Sequence, residues 1–215
     1  EISTEGKGYE VTIERLAKIF LEQQERKAHC LELVTPTHYV LSIIKALDIA
    51  KKNGLKIPVV YNTSGYENIE TLELLKGYVD IFLPDFKYFS AKTAQEYSRA
   101  PNYPEIAKNA NGIMTKGVIV RHLILPWYYK ESMQIVEYLY KTFGDDIYLS
   151  LMNQYTPMYK ASTHPKLKRK LTTFEYDKVV DYALDLGVKN CFIQQGNTAT
   201  KDFVPHFDGT NVIKD

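Results

Sequence analysis

The sequence predicts a parallel α/β fold, curling into a partial β/α barrel of the TIM type. Short apolar runs alternate with stretches of helical periodicity along the whole chain. The runs are nearly continuous in apolar character, as strands are when both faces of a parallel sheet are covered. Five of the runs also end in a polar cluster: Thr35-Pro36-Thr37-His38, Asn62-Thr63-Ser64-Gly65, Asp85-Phe86-Lys87, Asn153-Gln154-Tyr155 and Gln194-Gln195-Gly196-Asn197. In a parallel sheet the carboxyl ends of the strands share one rim, so these clusters are expected to meet around one cavity.

The elements follow in order. Ile13, Leu16, Ala17, Phe20 and Leu21 recur at helical spacing behind a capping Thr12 and an acidic first-turn Glu14. Cys30 to Val34 reads as a strand, and a helix through Val40, Ile43, Ile44, Leu47 and Ala50 stops at Asn53-Gly54. Pro58 to Tyr61 is a strand, Glu67 to Lys76 a helix and Val79 to Leu83 a strand. Ala91 to Tyr97 begins a helix that Pro101 and Pro104 interrupt. Val118 to Leu125 is a strand stopped by Pro126, Lys130 to Phe143 a helix ending at Gly144, and Ile147 to Met152 a strand. Thr173 to Leu186 is a helix ending at Gly187, and Cys191 to Gln194 is the last strand. Right-handed crossovers make such an alternation a parallel sheet. A complete eight-stranded barrel takes about 250 residues, more than the 215 present.

Composition narrows the function. The hydrophobic content of 45% and charged content of 25% fit one domain over residues 1–215, with 198–215 as an irregular strap across one end. No apolar run approaches the roughly 20 residues that cross a bilayer, and no secretory leader is expected before Glu1. A formal charge of +1 gives no footprint for nucleic acid or an anionic membrane. Lys166, Lys168, Arg169 and Lys170 read as a solvated loop. Cys30 and Cys191 read as reduced residues of buried strands, which suits a cytoplasmic location.

Several residues carry possible chemistry. Asp85 and Lys87, two apart at a strand end, point to one face, where an ammonium and a carboxylate can orient a zwitterion or simply pair with each other. Asn62, Thr63 and Ser64 before Gly65 offer short polar groups beside a permissive backbone, or else a turn and helix cap. Arg121 interrupts an apolar strand and needs either a ligand anion or an acidic neighbour. His38 and His122 lack metal-ligand spacing and read as satisfied structural residues. Tyr128, Tyr129, Tyr138 and Tyr140 read as helix packing. No phosphate loop, nucleophile elbow or HExxH pattern occurs.

Four strings, LVTPTH from Leu33, VVYNTSGYE from Val59, DIFLPDFK from Asp80 and VRHLILP from Val120, together resemble the radical S-adenosylmethionine family, in its pyruvate formate-lyase activating enzyme-like branch. The resemblance runs on through Tyr155, Tyr159, Gln195-Gly196 and Phe207-Asp208-Gly209. It implies an oxidoreductase that reductively cleaves S-adenosylmethionine at a 4Fe-4S cluster, giving a 5′-deoxyadenosyl radical that abstracts hydrogen. Its implied partners are a glycyl radical enzyme or other protein substrate and an electron donor such as flavodoxin or ferredoxin, in an anaerobic setting.

The cluster-binding CxxxCxxC loop is missing from this sequence, so the chain as given is expected to be inactive, with its first strand and cluster loop absent. Residues are also expected to be missing between Ala110 and Asn111. The resemblance places Thr35, Pro36 and Thr37 at the methionine amine and Asn62, Thr63 and Ser64 near the ribose and methionine portion. It matches Asp85 and Lys87 to a pair on the family's fourth strand, with Lys87 on the carboxylate and Arg121 near it, and places Gln154 near the adenosine. Two rival readings are a lyase forming a Schiff base on Lys87 and a non-catalytic barrel that binds S-adenosylmethionine or a partner.

Overall fold

The structure is a computed structural model that describes residues 8–114 and 117–194. The strap over 198–215 and the Gln195-Gly196-Asn197 part of the last cluster lie outside the described residues. The elements are α1 (Ile13–Glu25), β1 (Leu31–Val34), α2 (Val40–Lys52), β2 (Val59–Thr63), α3 (Ile69–Leu75), β3 (Ile81–Pro84), α4 (Ala91–Ser98), α5 (Tyr103–Ile113), β4 (Ile119–Leu123), α6 (Tyr129–Phe143), β5 (Tyr148–Met152), α7 (Thr173–Asp185) and β6 (Cys191–Ile193).

All strand pairs are parallel, in two three-stranded sheets of order β1-β2-β3 and β4-β5-β6. Bridges Phe82–Val118 and Asp85–Arg121 join β3 to β4, with the Phe82 amide donating to Gly117 O (3.0 Å) and the Phe86 amide to Arg121 O (2.8 Å). Gly117 permits the junction: its φ is +61° and a Cβ there would stand 2.5 Å from Asp80 O. Among the described residues β1 and β6 each pair on one side, so the strands form an open partial β/α structure and no closed barrel.

Strand alternation sorts the two faces. Tyr61, Phe82, Val120, Leu149 and Leu151 are buried with Leu72, Ala107, Val136, Leu139 and Val179 of the helices. A second cluster packs α1 on α2 over β1 through Ala17, Phe20, Ile43, Leu47, Leu31 and Val59. Each of these large apolar side chains contributes about 1.5–3 kcal/mol by leaving water. The opposite face carries Glu32, Val34, Asn62, Asp85, Arg121 and Ser150, brought abreast by the strand register.

Local chemistry explains the helix starts. Thr12 accepts the Arg15 amide at 3.1 Å, Ser90 accepts Thr93 at 3.1 Å, and Thr172 forms a capping box with Glu175. Pro104 sits in the first turn of α5, where the missing N–H is harmless. Three expectations fail. Ala110 and Asn111 are consecutive inside α5, and the Asn111 side chain donates to Ala107 O at 2.7 Å, so that segment is unbroken helix. Glu67 stands before α3 and turns inward, leaving Asn68 as the helix boundary. Neither cysteine lies in a buried strand: Cys30 precedes β1 half-buried, and Cys191 is half-buried at the start of β6, whose Phe192 and Ile193 are exposed.

Candidate functional site

A line of polar side chains crosses the face opposite the helices. Asn62 Nδ2 donates to Glu32 Oε1 (2.6 Å), and Arg121 donates to Asn62 Oδ1 (2.6 Å). Arg121 also pairs with Asp85 Oδ1 (2.7 Å), whose other oxygen lies 3.3 Å from Lys87 Nζ. Four strands that are far apart in sequence thus supply one chain of contacts, because i and i+2 residues of a strand end share a face. Its hydrogen-bonding capacity is not filled: Arg121 Nε is buried without a partner, and the Lys87 side chain is 43% exposed.

The turns holding these groups are tightly set. Gly65, with φ +76°, lies so close to the next turn that a Cβ would sit 2.2 Å from Asp85 O. The buried Tyr103 hydroxyl accepts the Lys87 amide (2.9 Å) and faces two carbonyls, Ser64 O (2.9 Å) and Asp85 O (3.0 Å). Thr35 takes φ +50°, uncommon for a β-branched residue, and its amide donates to Asn62 O at 2.8 Å.

The remaining site residues fall into place beside this line. Pro36 is buried. The Thr37 hydroxyl donates to Glu67 Oε1 (2.7 Å), which also accepts from Thr63 and, at 3.4 Å, from Tyr61. Glu67 is buried and its second oxygen has no partner. Ser64 contributes its carbonyl to Tyr103, while its hydroxyl accepts the Tyr66 amide at 3.4 Å. Gln154 stands apart from the charged line and accepts from Gln194 at 3.1 Å. Sequence reasoning missed Glu32, Glu67 and Tyr103. Glu32 carried a signal, since it interrupts an apolar run as Arg121 does; Tyr103, inside a proline-flanked helix start, carried none.

The strand β4 separates its polar neighbours. Arg121 faces the polar line, while His122 is buried among the helices. His122 Nδ1 lies 2.6 Å from Phe86 O and therefore donates, leaving Nε2 to accept from Ser132 Oγ at 2.8 Å. Burial lowers its pKa and favours that neutral form. The basic loop is not wholly solvated: Arg169 grips Glu175 with both terminal nitrogens (2.7 and 2.8 Å) and stacks 4.7 Å over the Trp127 ring. Lys108 lies 4.8 Å over the Tyr138 ring, so a basic side chain does meet these tyrosines.

Among the described residues no three His, Cys, Asp or Glu side chains are placed to share a metal ion. Cys30 precedes β1 and Cys191 opens β6, at opposite ends of the strand order, and burial pushes the Cys191 thiol up to about 11. An iron–sulfur cluster therefore finds no ligand set in them. An α-amino acid group fits better: the unpartnered Arg121 Nε and the exposed Lys87 ammonium stand next to the Asp85 carboxylate.

No family model matches the chain. It is 37% identical over 158 residues to the uncharacterized protein MJ0674 of Methanocaldococcus jannaschii, a match spanning 70% of this chain and 45% of that protein. Its fold is like that of Streptococcus suis SuiB, solved bound to the precursor peptide SuiA, with a TM-score of 0.61 and 15% identity over 88% of this chain and 43% of SuiB. The chain thus spans less than half the length of either protein. That likeness shows the fold alone, an arrangement of parallel strands and helices shared with part of SuiB. Among the described residues no helix is long and apolar enough to cross a membrane.

Proposed function

We propose that this chain is the cofactor-holding part of a radical S-adenosylmethionine protein, with the line from Asn62 to Lys87 gripping the amino-acid end of S-adenosylmethionine. The observation that carries this reading is the unfilled capacity of Arg121 and Lys87 around Asp85. Lys87 and the Arg121 Nε take the carboxylate, and Asp85 takes the ammonium. Asn62 and Ser64 lie toward the ribose, Thr63 backs that turn from the buried side through Glu67, and the Thr35-Pro36-Thr37 turn and Gln154 flank the ligand.

When bound, S-adenosylmethionine supplies a sulfonium that one-electron reduction splits to a carbon radical. The part taken by the described residues is to orient the cofactor's amino-acid end. The reading extends to a peptide or protein substrate, since SuiB, whose fold is alike, is solved bound to a precursor peptide. A glycyl radical enzyme, as in pyruvate formate-lyase activation, is the finer form of that proposal, with flavodoxin or ferredoxin as electron donor. The Schiff-base alternative is less well served, because Lys87 faces a carboxylate at 3.3 Å and open solvent rather than an apolar enclosure.

Calorimetry of the chain with S-adenosylmethionine and with 5′-methylthioadenosine, which lacks the aminocarboxypropyl group, tests the reading. One or two charge-assisted contacts should favour the former by about tenfold or more. Equal affinities would refute it.

A further inference from the structure

We propose that Tyr103 is a positioning residue for this site: its phenol oxygen sets the spacing between the Asn62–Gly65 turn and the Asp85–Lys87 turn. The inference rests on the reading of the site given above, and names a residue outside the ligand's reach that makes the site selective. Three contacts converge on that oxygen. It accepts the Lys87 amide at 2.9 Å and shares its one proton between Ser64 O at 2.9 Å and Asp85 O at 3.0 Å. The first carbonyl belongs to the turn after β2 and the second to the turn after β3, so a group on α5 bridges two strands' loops.

The bridge is held rigidly. Tyr103 is 3% exposed, its ring lies 5.5 Å from Tyr88 edge-on and stacks 6.1 Å from Tyr66, and Tyr66 OH reaches Asn102 at 2.8 Å. Burial raises the phenol's pKa, so the proton stays on throughout the physiological range. Gly65 completes the fit by allowing the two turns to touch. The turns in question carry Asn62 and Asp85, which receive the two contacts of Arg121, and Lys87. Loosening their spacing moves the anion-binding donors relative to the ammonium-binding carboxylate, and selectivity for a group carrying both charges depends on that distance.

The test is Tyr103→Phe, which keeps the ring and removes the oxygen. Binding of S-adenosylmethionine should weaken about tenfold, the loss of one charge-assisted arrangement, while 5′-methylthioadenosine binds unchanged. Amide exchange should speed up together in residues 62–65 and 85–87. A variant that keeps the wild-type preference, or that loses both ligands equally, overturns the proposal, since a merely structural tyrosine would do one or the other. Should wild type itself show no preference, the reading of the site falls and exchange decides alone: coupled loosening of both turns sustains the latch, loosening at Lys87 only overturns it. If Tyr103→Phe does not fold, Gly65→Ala presses on the same spacing from the other side and should reproduce the selective loss.

Discussion

Two carboxylate–guanidinium pairs, one between the end of β3 and β4 and the other at the start of α7, differ in what they leave unfilled. Glu175 and Arg169 are joined at 2.7 and 2.8 Å, and Glu175 further accepts the Trp127 amide (2.6 Å) and the Thr172 amide and hydroxyl. Both its oxygens are saturated. Burial alone would raise this carboxyl's pKa, yet Arg169 and the Trp127 and Thr172 donors outweigh it and hold it down at about 2. Asp85 and Arg121 meet at 2.7 Å with Arg121 Nε left over and a half-exposed Lys87 alongside. A saturated pair clamps the chain; a pair with spare donors is available to a ligand.

The largest consequence falls on the saturated pair. Glu175→Ala strands Arg169 and three donors, and should cost about 3 kcal/mol, lowering Tm by roughly 6–12 °C in thermal unfolding. The ligand preference should survive in whatever remains folded. Acid unfolding sharpens the same contrast. A carboxyl whose folded pKa lies below its ordinary value near 4.5 stabilises the fold above that value and loses its contribution as pH falls toward about 2. Wild type should therefore lose up to about 3 kcal/mol across that window, and Arg169→Met, with Glu175 titrating closer to its ordinary range, should lose less. The smallest effect belongs to Lys87→Met: with 43% of the side chain exposed, the ion pair with Asp85 should be worth about 0–0.5 kcal/mol in chemical denaturation.

The sequence showed the fold better than the site. Apolar runs and helical spacing located each of the described strands, because the helix-covered face leaves a pattern in the residues themselves, although of these strands β2 alone is buried along its whole length. β2 and β3 nevertheless run two residues and one residue further than expected, through Thr63 and Pro84, since backbone pairing with neighbouring strands outweighs the turn preferences of Asn62, Thr63 and Pro84. Asp85, Lys87, Asn62 and Arg121 were legible as charges or polar groups at strand ends. Which of Arg121 and His122 faced the polar side was not, because both interrupt the same run and only strand register decides it. Glu67 and Tyr103 were hidden for a different reason. Besides the nearby Thr63 and Tyr61, Glu67 holds Thr37, 30 residues away, and Tyr103 holds Ser64, 39 residues away, and these long-range pairings exist only once the turns are stacked.

Arg121→Met is the most direct test, read by thermal unfolding and by calorimetry on the same sample. A ligand-ready pair predicts a Tm within about 3 °C of wild type, a cost under about 1 kcal/mol, together with loss of the preference for S-adenosylmethionine over 5′-methylthioadenosine. A fall in Tm as large as that of Glu175→Ala with the preference intact would contradict it, and would make the Asp85–Arg121 pair a second structural clamp.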